Sequence, residues 1–161
     1  MHLNGYGELV MHDFPHEVRK HLQFMLAAHG HVLVSGLGLG CVVRGLLANP
    51  RVTRVTVLEN SRDVLKLVGP FVEKEEGRSK KEENIRLEIV EAEAEGWIRG
   101  TDRRFDCAWH DLWTDTTAGE PHLAVKHAQM MGDLAGRVKF QGAWEFPRFE
   151  RKLWRQAAGV I

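Results

Sequence analysis

The chain has 161 residues, 43% of them hydrophobic, and its 22 lysines and arginines balance 22 aspartates and glutamates. That length and composition suit a single compact domain over residues 1–161 and exclude an intrinsically disordered chain. The zero formal charge offers no electrostatic argument for nucleic acid, and no apolar run approaches the ~20 residues of a membrane span.

In chain order, "DFPHEVRKHLQFMLAAHG" predicts a helix. Asp13 caps it, Pro15 suits its first turn, Val18, Leu22, Met25 and Leu26 share a face, and Gly30 ends it. "HVLVSG" is a continuous apolar run of the kind found in a central parallel strand covered on both faces. "CVVRGLLANP" predicts a short helix stopped at Asn49-Pro50, and "RVTVLEN" a second strand rich in β-branched residues. Ser61 caps a helix "RDVLKLV" that breaks at Gly69-Pro70. Nine of the eleven residues in "EKEEGRSKKEE" are charged, which predicts a solvated loop with some helix at its start. "IRLEIV" alternates and predicts a strand near a sheet edge, whereas "FDCAWHD" predicts a less alternating strand. A helix follows over residues 120–135 with Leu123, His127, Met131 and Leu134 on one side. "RVKFQGAW" then alternates Val138, Phe140 and Trp144 as a second edge strand.

Strands alternating with helices predict an α/β fold with a mostly parallel sheet and helices on both faces. Alternating strands at the ends and continuous apolar strands in the middle predict the order 3-2-1-4-5. Cys41 and Cys107 lie in apolar runs and read as free, buried thiols of a reducing compartment. With no signal-peptide pattern in "MHLNGYGELV", the expected location is the cytoplasm.

The stretch "HVLVSGLGLGCVV" carries the functional reading. Gly36, Gly38 and Gly40 fall where the first strand turns into the first crossover helix. Glycines there let a ligand approach the backbone, and the helix start offers N–H groups and a positive dipole end. The dinucleotide fingerprint G-x-G-x-x-G requires glycine at position 41, which is cysteine here. That counts against NAD or FAD. Glu59 ends the second strand, where a carboxylate can accept both hydroxyls of a ribose. Together these features predict a nucleoside-bearing cofactor.

"VLVSGLGLG" followed by "VTVLEN" resembles the first two motifs of class I S-adenosylmethionine-dependent methyltransferases, and most of all their spermidine synthase-like branch. The resemblance covers residues 7–115. It implies a Rossmann-like fold with a short N-terminal β segment and helix, here "GELVMHDFPHEVRKHL", and S-adenosylmethionine as cofactor. It places the cofactor on Gly36, Leu37, Gly38 and Gly40, with Glu59 at the ribose and Asn60 and Asp111 among the other cofactor contacts. "EAEA" stands at the family's "ADA"-like motif, which implies Glu93 near the adenine amino group. "FDCAWHDLWTD" puts Asp111 on the first aspartate of the family's fourth-strand motif, the residue that handles the attacking nucleophile. Trp113 then covers the sulfonium or stacks on adenine. Two departures stand out: Thr114 occupies the position of the family's second aspartate, and the C-terminal half of a spermidine synthase has no counterpart.

Asp111 is therefore the candidate catalytic residue, and its neighbour His110 is expected to point to the opposite face of the strand. Trp109 reads as core. The nine histidines form no H-E-x-x-H, and with no paired cysteine ligands a metal site is not expected. Arg148, Arg151, Lys152 and Arg155 in the tail form either a phosphate grip or the solvated side of a segment docking through Phe149, Leu153 and Ala157. The outer strand edge leads to an expectation of a homo-oligomer, or of cover by the C-terminal segment. Two functions fit: a small methyltransferase-like transferase of unknown acceptor, or a non-catalytic cofactor-binding module or subunit.

Overall fold

The computed structural model describes residues 15–76, 86–112 and 121–143. In chain order these form α1 (Pro15–Ala27), β1 (Gly30–Ser35), α2 (Cys41–Ala48), β2 (Val52–Glu59), α3 (Arg62–Glu76), β3 (Arg86–Glu91), α4 (Ala94–Gly100), β4 (Phe105–His110), α5 (Pro121–Leu134) and β5 (Val138–Ala143). The five strands form one parallel sheet in the order β3-β2-β1-β4-β5, as the strand pattern predicts.

The sheet is covered on both faces because its inner strands are apolar on both sides. Val32, Val34, Val55, Val57, Cys107 and Trp109 pack with Phe24, Met25, Ala28, Val43, Leu46, Val68 and Val72 of α1, α2 and α3. On the opposite face, Leu33, Leu58 and Ala108 meet Ala94 and Ile98 of α4 and Met130 and Leu134 of α5. The chain steps outward from β1 to β3 and then returns to β4 on the other side of β1. This reversal puts a crevice at the carboxyl ends of β1 and β4, where open α/β sheets bind ligands.

Three elements depart from the sequence reading. The buried face of α1 is His21, Phe24, Met25 and Ala28, while Leu22 and Leu26 are exposed. Aromatic contacts with the sheet select this face. Phe24 lies 4.9 Å from Trp109 and 5.9 Å from Phe140, ring centroid to centroid. Helix α3 does not break at Gly69-Pro70 but runs to Glu76 with Pro70 inside it. Burial of Val68 and Val72 on either side of the proline outweighs the one hydrogen bond that proline cannot donate. Helix α4 was not anticipated at all. Cys107 is buried as expected, but Cys41 is half-buried, at the first position of α2.

Among the described residues no helix is long and apolar enough to cross a membrane. Asp13, Trp113, Trp144 and the basic tail lie outside the described residues, as do the short N-terminal β segment and most of the charged loop.

Candidate active site at the carboxyl ends of β1, β2 and β4

The glycine loop is a tight turn held by backbone bonds on three sides. Gly36 N–H donates to the Leu58 carbonyl, Gly40 N–H donates to that of Leu37, and Asp111 N–H donates to that of Ser35, each at 2.8 Å. Gly36, Gly38 and Gly40 have φ of +94°, +51° and +77°, the left-handed region that side chains disfavour. Gly36 and Gly40 also stand too close to the protein for a side chain. A Cβ on Gly36 would overlap the Asp111 carbonyl oxygen, and one on Gly40 would lie 2.8 Å from Val72 Cγ1. Gly40 is the N-cap of α2 and has no side chain to cap that helix, and no acidic residue stands in its first turn.

Glu59 is buried, and its carboxylate organises the loop. Oε2 accepts from Leu37 N–H at 2.9 Å and Oε1 accepts from Ser61 N–H at 2.8 Å. One side chain thus ties the glycine turn to the start of α3, while the Ser61 hydroxyl caps that helix through Val64 N–H. Each carboxylate oxygen keeps a second acceptor position. Asn60 is exposed beside it. The Glu59 carbonyl accepts from Ala92 N–H at 3.0 Å, which holds the end of β3 against the same edge.

Glu93 stands where the sequence places it, just past β3, but its carboxylate has a structural task. It is the N-cap of α4, accepting from Glu95 N–H at 3.1 Å and Gly96 N–H at 2.7 Å. Asp111 follows β4 directly beside Gly36. Its carboxylate is 22% exposed, and Oδ2 lies 4.0 Å from Nε2 of the buried His21. Trp109 is core, wedged between Phe24, His21 and the backbone at Gly142. The structure therefore gathers Gly36, Leu37, Gly38, Gly40, Glu59, Asn60 and Asp111 at the carboxyl ends of β1, β2 and β4, with Glu93 just past β3.

His110 and Asp111 point to opposite faces, as strand geometry requires. His110 is fully buried, with Nδ1 3.0 Å from Ser35 Oγ and Nε2 3.4 Å from Gln141 Oε1. Gln141 in turn donates to the Met131 carbonyl at 2.9 Å. This polar chain links β1, β4, β5 and α5, and no residue spacing signals it.

Burial pushes the His110 imidazole down to about 4 from 6.5, against a smaller opposing effect of the Gln141 hydrogen bond. The folded-state value lies below the unfolded one. Above pH 6.5 both states are neutral, and as pH falls from 6.5 towards 4 only the unfolded chain takes up the proton. Stability is expected to fall over that window by on the order of 3 kcal/mol. Urea midpoints measured against pH test this. A slope as steep in His110→Asn as in the wild type would assign the effect to other groups.

No family model and no curated protein sequence matches the chain. Solved structures do. Precorrin 8w decarboxylase from Methanobacterium thermoautotrophicum is 17% identical with a TM-score of 0.56, over 93% of this chain and 75% of that one. A spermidine synthase solved with the transition-state analogue AdoDATO is 22% identical with a TM-score of 0.55, over 89% of this chain and 50% of that one. The bifunctional kinase-methyltransferase WbdD is 15% identical with a TM-score of 0.53, over 79% of this chain and 28% of that one. The fold is class I methyltransferase-like. The chain spans half the length of the spermidine synthase it matches. In this methyltransferase-like sheet, Gly36 and Asp111 meet at the carboxyl ends of the neighbouring strands β1 and β4, and the Glu59 carboxylate ties the same turn to the end of β2.

Proposed function

We propose that the chain binds S-adenosylmethionine in this crevice and transfers its methyl group to an acceptor. One observation carries the reading: a buried carboxylate at the end of β2 grips a three-glycine turn, which touches an aspartate at the end of β4. The residues fit the cofactor. The turn carries Gly38, which is half-buried, Glu59 retains acceptor positions for ribose hydroxyls, and Asp111 supplies negative charge near a cationic sulfur. Leu37, Gly40 and Asn60 complete the wall, and Glu93 lies on the adenine side.

When bound, S-adenosylmethionine supplies a methyl group on a positively charged sulfur that departs as a neutral thioether. The chain's own task is then to position the acceptor in line and to receive its proton, which Asp111 is placed to do. A second reading, a cofactor-binding module without transfer activity, is favoured by Thr114 standing where the family's second aspartate would fall. A cytoplasmic setting, and self-association through the outer edge of β5, where Phe140 is exposed, belong to the same proposal.

Calorimetric titration tests the cofactor. S-adenosylmethionine and S-adenosylhomocysteine are expected to bind and NAD is not. Heat with NAD alone would reverse the reading. Glu59→Ala is expected to weaken cofactor affinity by ~1.5–3 kcal/mol, the range for a hydrogen bond to a charged group. The loss should shrink for the 2′,3′-dideoxy analogue. Equal losses for both ligands would leave Glu59 with its loop-holding role only.

A further inference from the structure

The amino ends of the strands carry a cluster of charge, at the other end of the sheet from the glycine turn. Helices α4 and α5 cover the later part of this face, where Leu33 and Leu58 meet Ile98 and Leu134. The earlier part is polar. His31 and Arg54 are partners in register on β1 and β2, and Arg54 and Arg86 are partners on β2 and β3. Neighbours in register on parallel strands send their side chains to the same side, so Arg86, Arg54 and His31 form one row. Glu59 ends β2 five residues after Arg54, which is ~16 Å along an extended strand.

The carboxylates beside this row are already paired. Arg103 meets Glu88 and Lys139 meets Asp106, each at 2.7 Å. The Thr56 hydroxyl donates to Glu88 Oε2 at 3.2 Å, so it accepts from His31 Nε2 at 2.9 Å, and the ring keeps Nδ1 as its acceptor. Arg54 is half-buried and Arg86 exposed, and among the described residues neither guanidinium has a hydrogen bond or an ion pair. Strand spacing sets their backbones ~4.8 Å apart, and like charges on so short a spacing repel. The excess of positive charge is felt at His31. Burial first, and then the charge of Arg54, hold its imidazole below the usual range, with Arg103 adding to this and Glu88 and Asp106 opposing it.

We propose that Arg54 and Arg86 together hold a tetrahedral dianion, a phosphate group, at the amino ends of β2 and β3, in a site separate from the cofactor crevice. Two guanidinium groups offer one phosphate several N–H donors in a planar fork geometry and neutralise its charge. The bound dianion removes the repulsion between the arginines, which no carboxylate among the described residues relieves by direct pairing. It also favours the protonated form of His31 in the same row, whose Nδ1 then becomes a donor. The group arrives either as free phosphate or as the monoester of a larger molecule. The site stands independently of the methyl-transfer reading.

The test titrates the ring nitrogens of His31 by proton–nitrogen correlation spectra. Sulfate, a tetrahedral dianion across the pH range used, is the probe, and sodium chloride at equal ionic strength is the control. Sulfate is expected to raise the pKa of His31 saturably, by about half a pH unit to one unit beyond the effect of chloride. Arg54→Gln and Arg86→Gln are each expected to weaken sulfate about threefold to tenfold. Arg62→Gln, at the opposite end of the sheet and paired with Glu91, should leave it unchanged. A response no larger than that to chloride would mean screening only and overturn the proposal, as would wild-type affinity in both Arg54→Gln and Arg86→Gln. The wild-type comparison of the two salts decides the matter even if a variant does not fold. Inorganic phosphate and methyl phosphate, compared in mildly alkaline buffer where both are dianions, separate the sources. Tighter phosphate marks the free ion and tighter methyl phosphate a monoester, while failure of both to bind would overturn the site.

Discussion

Asp111→Asn is expected to bind S-adenosylmethionine about as well as the wild type and to turn over ~10²–10⁴-fold more slowly, the usual loss on removing a general base. Asparagine has the same shape, and the backbone bond from residue 111 to the Ser35 carbonyl is unaffected by the change. What disappears is the capacity to accept a proton beside the acceptor. Trp109 and Phe24 beside it are apolar and supply no base, and the imidazole of His21, 4.0 Å from the carboxylate, does not replace its negative charge. Full turnover in the variant, once an acceptor is found, would remove Asp111 from the mechanism. Lost cofactor affinity with unchanged turnover at saturation would make it a binding residue instead.

Gly36→Ala is expected to destabilise the protein by ~2–6 kcal/mol, the sum of ~1–3 kcal/mol for a side chain in the left-handed region and ~1–3 kcal/mol for overpacking. The neighbour that must give way is the Asp111 backbone carbonyl, which cannot rotate aside as a flexible side chain would. Gly38→Ala provides the contrast. With φ at +51° it should cost ~1–2 kcal/mol of backbone strain. Gly38→Val should keep the fold and abolish cofactor binding by filling ligand space. Urea unfolding of the two alanine variants checks the ranking, and equal losses would show that the contact with Asp111 relaxes freely.

The sheet order was legible because buried parallel strands leave continuous apolar runs. "HVLVSG" and "RVTVLE" can be little else beside strands that alternate, such as "IRLEIV". The glycine turn and Glu59 were legible because backbone constraint restricts residue type sharply. Other features had no such signature. Helix α4 is seven residues long with glycine at Gly96 and Gly100, too short and too glycine-rich for periodicity to register. It exists because Ile98 is buried and Glu93 caps it. The face of α1 was misread because Leu22 and Leu26 outrank His21 on any hydropathy scale, whereas the choice is made by rings on β4 and β5 that are far away in sequence. His21 was missed for the same reason. Glu93 stands just past β3, and its capping role follows from a helix that the pattern hides.

The seam between β1 and β4 also bears on how the protein assembles. It joins Val32 to Cys107 and Ser35 to His110, so closing it brings together segments 75 residues apart. The unit from β1 to β3 needs no such closure, since each of its strands pairs with a neighbour one crossover away. Loop-closure entropy therefore favours the half bearing Glu59 and the glycine turn as the early-forming one, with the strand that brings Asp111 docking later. Helix α1 straddles that seam, gripping Gly45 on one side and Trp109 and Phe140 on the other. In hydrogen exchange, amides of β4 and β5 should open together at lower free energy than those of β1 and β2. Weakening the α1 grip, as Phe24→Ala would, should widen that gap by loosening the latch that keeps the two parts of the crevice in register.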